Sequence, residues 1–148
     1  MRLNGKAALV TGAGQGFGFG IAEAFVREGA RVACLDVKGE VAEAAAKRFG
    51  ASAMAVQADV SSRKDVERAA RAAIDALGRI DIVVNNAGVT HRNKPLMEVE
   101  EAEFDRIFAV NVKSILLTPR LSFPICALTA AASSSTSARL QVCVRAQA

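Results

Sequence analysis

Five glycines alternate through residues 12–20, as Gly12-Ala13-Gly14-Gln15-Gly16-Phe17-Gly18-Phe19-Gly20. An apolar run, Ala7-Ala8-Leu9-Val10, precedes them, and an amphipathic run over residues 21–27 follows. The chemistry open to such a stretch is the holding of an anion. Without a Cβ, the backbone can come close to a phosphate. The first amides of a following helix lack intrahelical partners and lie at the positive end of its dipole. Strand, glycine turn and helix start together form the layout that holds a dinucleotide pyrophosphate. A flexible glycine loop is the other reading of the same residues. Asp36, Asp59-Val60 and Asn85-Asn86-Ala87-Gly88 each follow an apolar run in the same way, and Asn111 sits among apolar neighbours. The inventory is also restrictive. The chain has no tyrosine and no tryptophan, and its one histidine and three scattered cysteines show no metal-ligand spacing, so no metal site is expected.

The elements that must position these groups follow from periodicity. Residues 6–10, 31–37, 52–57 and 80–84 read as buried strands, being short apolar runs closed by turn signals. Residues 17–28 read as a helix with Phe17, Ile21, Ala24 and Phe25 on one face and Gly29 as its stop. Residues 40–49 form an alanine-rich helix ended by Gly50. Residues 65–77 form a third helix ended by Gly78, with Ser61-Ser62 as N-cap and Asp65, three residues after Ser62, in a capping-box position. A loop over 89–99, centred on His91-Arg92-Asn93-Lys94, leads to a fourth helix over 100–118 with Phe104, Ile107, Phe108, Asn111 and Ile115 on one face. Strands alternating with helices predict an α/β fold, a doubly wound parallel sheet with helices on both faces. Ligands of such sheets bind at the carboxyl ends of the strands, where the glycines, Asp36, Asp59 and residues 85–88 all fall.

After residue 118 the character changes. Pro119 and Pro124 stop the helix, and residues 127–137 are a low-complexity Ala/Ser/Thr stretch. Residues 140–144 alternate like a short strand, but no full fifth strand-and-helix pair is read. The expected organisation is a dinucleotide-binding domain over residues 1–118, with residues 119–148 an atypical tail of the same domain. That fold is incomplete on its C-terminal side.

The net charge of +4 is mild, and its lysines and arginines are interspersed with acids at helical spacings. That pattern describes solvated faces, not a nucleic-acid stripe, and no nucleic-acid partner is expected. No apolar run has membrane-spanning length, and residues 1–6 lack the apolar segment of a secretory signal, so the expected location is cytoplasmic. Cys34, Cys126 and Cys143 read as reduced thiols, with Cys34 a buried strand residue.

In family order over residues 4–118, the pieces Thr11-Gly12-x-x-x-Gly16-x-Gly18, Asp36, Asp59-Val60, Asn85-Asn86-Ala87-Gly88 and Asn111-Val112 resemble the short-chain dehydrogenase/reductase family. The resemblance implies a Rossmann fold, a nicotinamide dinucleotide cofactor, and hydride transfer between that cofactor and a small alcohol or ketone. It implies that Gly12, Gly16 and Gly18 are the pyrophosphate and helix-packing glycines. Gln15 and Phe17 between them count as cofactor contacts. Gly14 counts there too, although Gly14 and Gly20 could each be only a tolerated small residue. Asp36 matches the acid that takes the adenosine ribose hydroxyls and repels a 2′-phosphate, which favours NAD over NADP. The other reading of Asp36 is an exposed loop acid, and Lys38, two residues on, tempers the preference for NAD. Asp59 and Val60 match the adenine pocket, or else an Asx turn before a helix cap. Asn86, Ala87 and Gly88 match the turn that braces the central sheet and passes the cofactor ribose. Asn111 matches the asparagine that holds a water in the family's proton relay, and a buried asparagine bonding a backbone carbonyl has the same geometry.

The family's general acid/base is a tyrosine, with a lysine four residues later that lowers its pKa. This chain contains no tyrosine. Counted from Asn111, the family serine falls near residues 133–137, with Ser135 as a possible remnant in an Ala/Ser-rich loop. The tyrosine falls at or just beyond Ala148. The expectation is a frameshifted or truncated, catalytically incomplete oxidoreductase. A catalytically inactive dinucleotide-binding module and a non-functional truncated product are the alternatives. Family dimers use the helix holding Asn111 and the next one, so a homo-oligomer here is expected to differ from the usual assembly.

Overall fold

A computed structural model describes residues 1–118 and, for the backbone alone, residues 140–143. The order is β1 (Ala7–Thr11), α1 (Gly16–Arg27), β2 (Arg31–Asp36), α2 (Gly39–Phe49), β3 (Ala53–Gln57), α3 (Arg63–Leu77), β4 (Ile82–Asn85), α4 (Glu101–Phe108) and β5 (Leu140–Cys143). Ser135 lies outside the described residues.

All neighbouring strands pair in parallel, in the order β3-β2-β1-β4-β5. The chain therefore winds outward from β1 to β3, then crosses back to β4, and the switch point lies between β1 and β4. The alternation read over 140–144 corresponds to β5, whose Leu140 and Cys143 pair with Ile82 and Asn85.

Successive strand residues feed two separate cores. Ala7, Leu9, Ala33, Leu35 and Val56 face one side, where Ala69, Ala73 and Leu77 of α3 cover them. Ala8, Val10, Val32, Cys34, Ile82 and Val84 face the other, against Ala22 and Phe25 of α1 and Phe49 of α2. Helices on both faces explain why these strands are apolar without alternation. Burial pushes the Cys34 thiol up to about 12. It remains a neutral packing group at ordinary pH.

Three local readings are corrected. Phe17 does not join the buried face of α1; it is 69% exposed. The fourth helix is not uniform: α4 gives way to a single π-helical turn, Ala109–Lys113, before residues 114–118 resume α-helix. On its aromatic positions, Phe104 and Phe108 stand about half exposed. Ser62 does cap α3, its Oγ accepting from the Asp65 amide at 3.3 Å. The reciprocal bond of a capping box is redirected, however, because the Asp65 carboxylate accepts from the Asp59 amide at 3.0 Å.

Candidate functional site

The carboxyl ends of β1, β2 and β4 and the start of α1 surround one cleft of about 1130 Å³. Its construction begins at Thr11, the last residue of β1. The Thr11 hydroxyl donates to the Val84 carbonyl at 3.2 Å and accepts from the amides of Asn86 and Ala87, both at 3.0 Å. One buried hydroxyl thus ties β1 to the turn after β4. The Asn86 side chain completes the tie, its Nδ2 donating to the carbonyls of Thr11 at 2.9 Å and Gly12 at 3.3 Å. Asn86 Oδ1 is buried with no hydrogen-bond partner among the described residues.

This tie leaves no room for a side chain at Gly12 or Gly18. Gly12 has φ +63°, and a Cβ there would lie 3.0 Å from the Ala87 Cα. At Gly18 a Cβ would lie 2.1 Å from the Gly12 carbonyl oxygen and 2.5 Å from Asn86 Nδ2. Gly18 is therefore a packing glycine behind the cleft. Gly14 is more than tolerated, because its Cβ would meet Val41 Cγ1 at 2.6 Å and Asp36 Oδ2 at 2.8 Å. Gly20 meets nothing within 4 Å. Gly12, Gln15, Gly16 and Phe17 line the cleft, whereas Gly14 and Gly18 support it from outside.

The start of α1 is open to this space. Its N-cap, Gln15, makes no side-chain cap, and its first turn carries no acid. The amides there are left for an external acceptor. By contrast, α3 is capped by its own serine.

Asp36 lines the cleft at the end of β2. Its Oδ2 accepts from the Gly14 amide at 3.1 Å, and its Oδ1 accepts from the Lys38 amide at 3.2 Å. It is thus not a free loop acid. Asp59 and Val60 line the neighbouring wall. Asp59 Oδ1 accepts from the Ser61 amide at 2.8 Å and hydroxyl at 2.7 Å, so the Asx turn is present. Asn86, Ala87, Gly88 and Asn111 also line the cleft. Asn111 closes a two-bond ring on the Val89 backbone, its Oδ1 accepting from the amide at 2.9 Å and its Nδ2 donating to the carbonyl at 2.8 Å. Both bonds go to one backbone residue, a geometry that both readings of Asn111 share.

His91 reaches the cleft wall and Arg92 does not. The His91 Nδ1 lies 2.6 Å from the Arg92 carbonyl. Lys94, 2.5 Å from Glu103, hydrogen-bonds its carboxyl and holds it below the usual range. Nothing in the local sequence assigns Thr11 a role. Its hydroxyl at the last position of an otherwise apolar strand was the available signal.

The family model described as short chain dehydrogenase matches residues 6–133. The chain belongs to the short chain dehydrogenase family. It is 44% identical over 116 residues to a sorbitol dehydrogenase of Cereibacter sphaeroides, covering 78% of this chain and 45% of that one. It is 39% identical over 113 residues to a galactitol 2-dehydrogenase of Agrobacterium fabrum, covering 76% and 44%. A solved 3-ketoacyl-(acyl-carrier-protein) reductase from Brucella melitensis, complexed with NADH, superposes with a TM-score of 0.80 at 46% identity, over 82% of this chain and 50% of that one. The chain spans about half the length of the short chain dehydrogenases it matches.

Proposed function

We propose that this chain forms the cofactor-holding half of an oxidoreductase that moves hydride between a nicotinamide dinucleotide and a small alcohol or ketone. The observation that carries the reading is the uncapped start of α1, opening through Gly16 into the cleft that Asp36 and Asp59 also line. The residues fit the group. A Cβ at Gly16, whose φ is +59°, would meet nothing within 4 Å, so that turn leaves open space beside unpaired amides. Those amides receive the pyrophosphate. Asp36 accepts from the adenosine ribose hydroxyls, and its carboxylate repels a 2′-phosphate, so NAD is preferred to NADP. Asp59 and Val60 border the adenine, and Ala87 and Gly88 run beside the nicotinamide ribose. Asn111 holds the 88–90 backbone in place through Val89.

The bound dinucleotide would supply hydride to a ketone or accept it from an alcohol. The proton for the substrate oxygen is a separate matter: with no tyrosine, these residues offer no phenol for it. The chain on its own is accordingly expected to bind cofactor without turning over alcohol. The dehydrogenase and NADH-complexed relatives support the reaction type, and no described helix is long and apolar enough to cross a membrane.

Calorimetric titration with NADH and NADPH tests this reading. NADH is expected to bind at least about tenfold more tightly than NADPH, a difference of ~1.4 kcal/mol. A preference for NADPH would overturn the role given to Asp36, and binding of neither would overturn the site.

A further inference from the structure

We propose that Asp36 positions the glycine loop as well as contacting ribose, so that one carboxylate sets both cofactor choice and phosphate-site geometry. The loop between β1 and α1 is drawn across the end of β2 by two consecutive amides. The Ala13 amide donates to the Leu35 carbonyl at 3.0 Å, and the Gly14 amide donates to Asp36 Oδ2 at 3.1 Å. The second of these is charge-assisted and thus the stronger kind. The other oxygen of the same carboxylate accepts from the Lys38 amide at 3.2 Å, at the N-cap of α2. Asp36 therefore joins the glycine loop to the start of α2 through its two oxygens.

The packing at residue 14 shows how close the approach is. A Cβ there would stand 2.8 Å from Asp36 Oδ2 and 2.6 Å from Val41 Cγ1, so only glycine lets the loop reach the carboxylate. A loop with this many glycines has a large conformational freedom to lose on ordering. The amide immediately before the N-cap Gln15 is the one Asp36 fixes, and Gln15 has no cap of its own to set where α1 begins. A carboxylate has about four acceptor sites, so these two bonds leave capacity for ribose hydroxyls. Replacing Asp36 to admit a 2′-phosphate would then loosen the pyrophosphate site as well.

The ligand half of this proposal rests on the dinucleotide reading; the loop half does not. The test uses the full chain and two readouts. Amide-resolved hydrogen exchange of the ligand-free protein follows Gly14. Titration with reduced nicotinamide mononucleotide, which has a phosphate but no adenosine, follows the anion site without the adenosine-ribose contact. In Asp36→Ala, the Gly14 amide is expected to exchange about tenfold faster or more, and the mononucleotide to bind about tenfold more weakly. Asp36→Asn keeps one oxygen acceptor and is expected to fall between, and it decides the matter if the alanine variant does not fold. Unchanged Gly14 exchange or unchanged mononucleotide binding in the folded variants, with only NADH binding weakened, would overturn the proposal. If the wild-type chain binds neither NADH nor the mononucleotide, the dinucleotide reading falls, and the exchange rates alone decide the role of Asp36.

Discussion

The turn that joins β1 to β4 and the helix that follows residue 100 hold their places by different means. At the turn, three hydrogen bonds meet on the Thr11 hydroxyl, and the glycines let backbones approach to van der Waals contact. Along the helix, Phe104, Phe108, Val112 and Leu116 are 52%, 49%, 54% and 50% exposed, and few of its side chains are buried. Val110 and Leu117 pack inward, and the rest of what secures the helix is polar: Asn111 on Val89, and the Thr118 hydroxyl donating to Asn85 Oδ1 at 2.5 Å. The cleft thus has one wall held by buried hydrogen bonds and close backbone packing, and another held by a few hydrogen bonds with little burial. Substitutions at the first wall should act on the whole fold. Those at the second should act locally.

Among the changes that test this contrast directly, the largest effect belongs to Gly18→Ala. Its Cβ would fall 2.1 Å from a backbone oxygen, which no side-chain rotation relieves. A loss of ~3 kcal/mol in urea unfolding is expected, at the upper end for overpacking. Gly20→Ala is the internal control. It lies in the same helix with open space around it, and removing glycine there should stabilise by up to ~1 kcal/mol. Equal effects at the two positions would break the view that the first wall is held by packing.

Thr11→Val comes next. The shape is kept, but the Asn86 and Ala87 amides lose their acceptor. Leaving buried donors unpaired is expected to cost about 2–3 kcal/mol. A loss below ~1 kcal/mol would mean that the turn finds another acceptor.

How much of this was legible follows from how far apart the partners lie. The strands were legible because each is a continuous apolar run, and the two cores follow from simple alternation along them. The glycine loop was legible because its chemistry is local. The role of Thr11 was not, since its partners lie about 75 residues away and are set by strand order. The π-helical turn was not either, because Asn111 is held by Val89, 22 residues earlier, and no propensity encodes that bond. Phe17 misled because a helical spacing with Ile21 implies a shared face, whereas the first turn of α1 projects past the sheet into the cleft.

Asn111→Ala should be milder than either change at the first wall. It removes both bonds to Val89, and about 1–2 kcal/mol is expected. The loss should be local, with faster amide exchange confined to residues 88–99. Exchange that rises equally in β1 would show that the two walls are not independent.

The smallest effect is expected on the exposed face of α4. The Phe104 and Phe108 rings lie 4.4 Å apart and tilted by 31°, a contact that contributes ~1 kcal/mol at most. Phe108→Ser should therefore cost under ~1 kcal/mol. Leu35→Ala, at a residue 1% exposed beneath the cleft, should cost about 2–5 kcal/mol. The pair is measured by urea unfolding at two protein concentrations. A Phe108→Ser loss near that of Leu35→Ala, and larger at the higher concentration, would mean that the face is buried against another molecule in solution. The contrast between the two walls would then describe a single copy of the chain and not its assembled state.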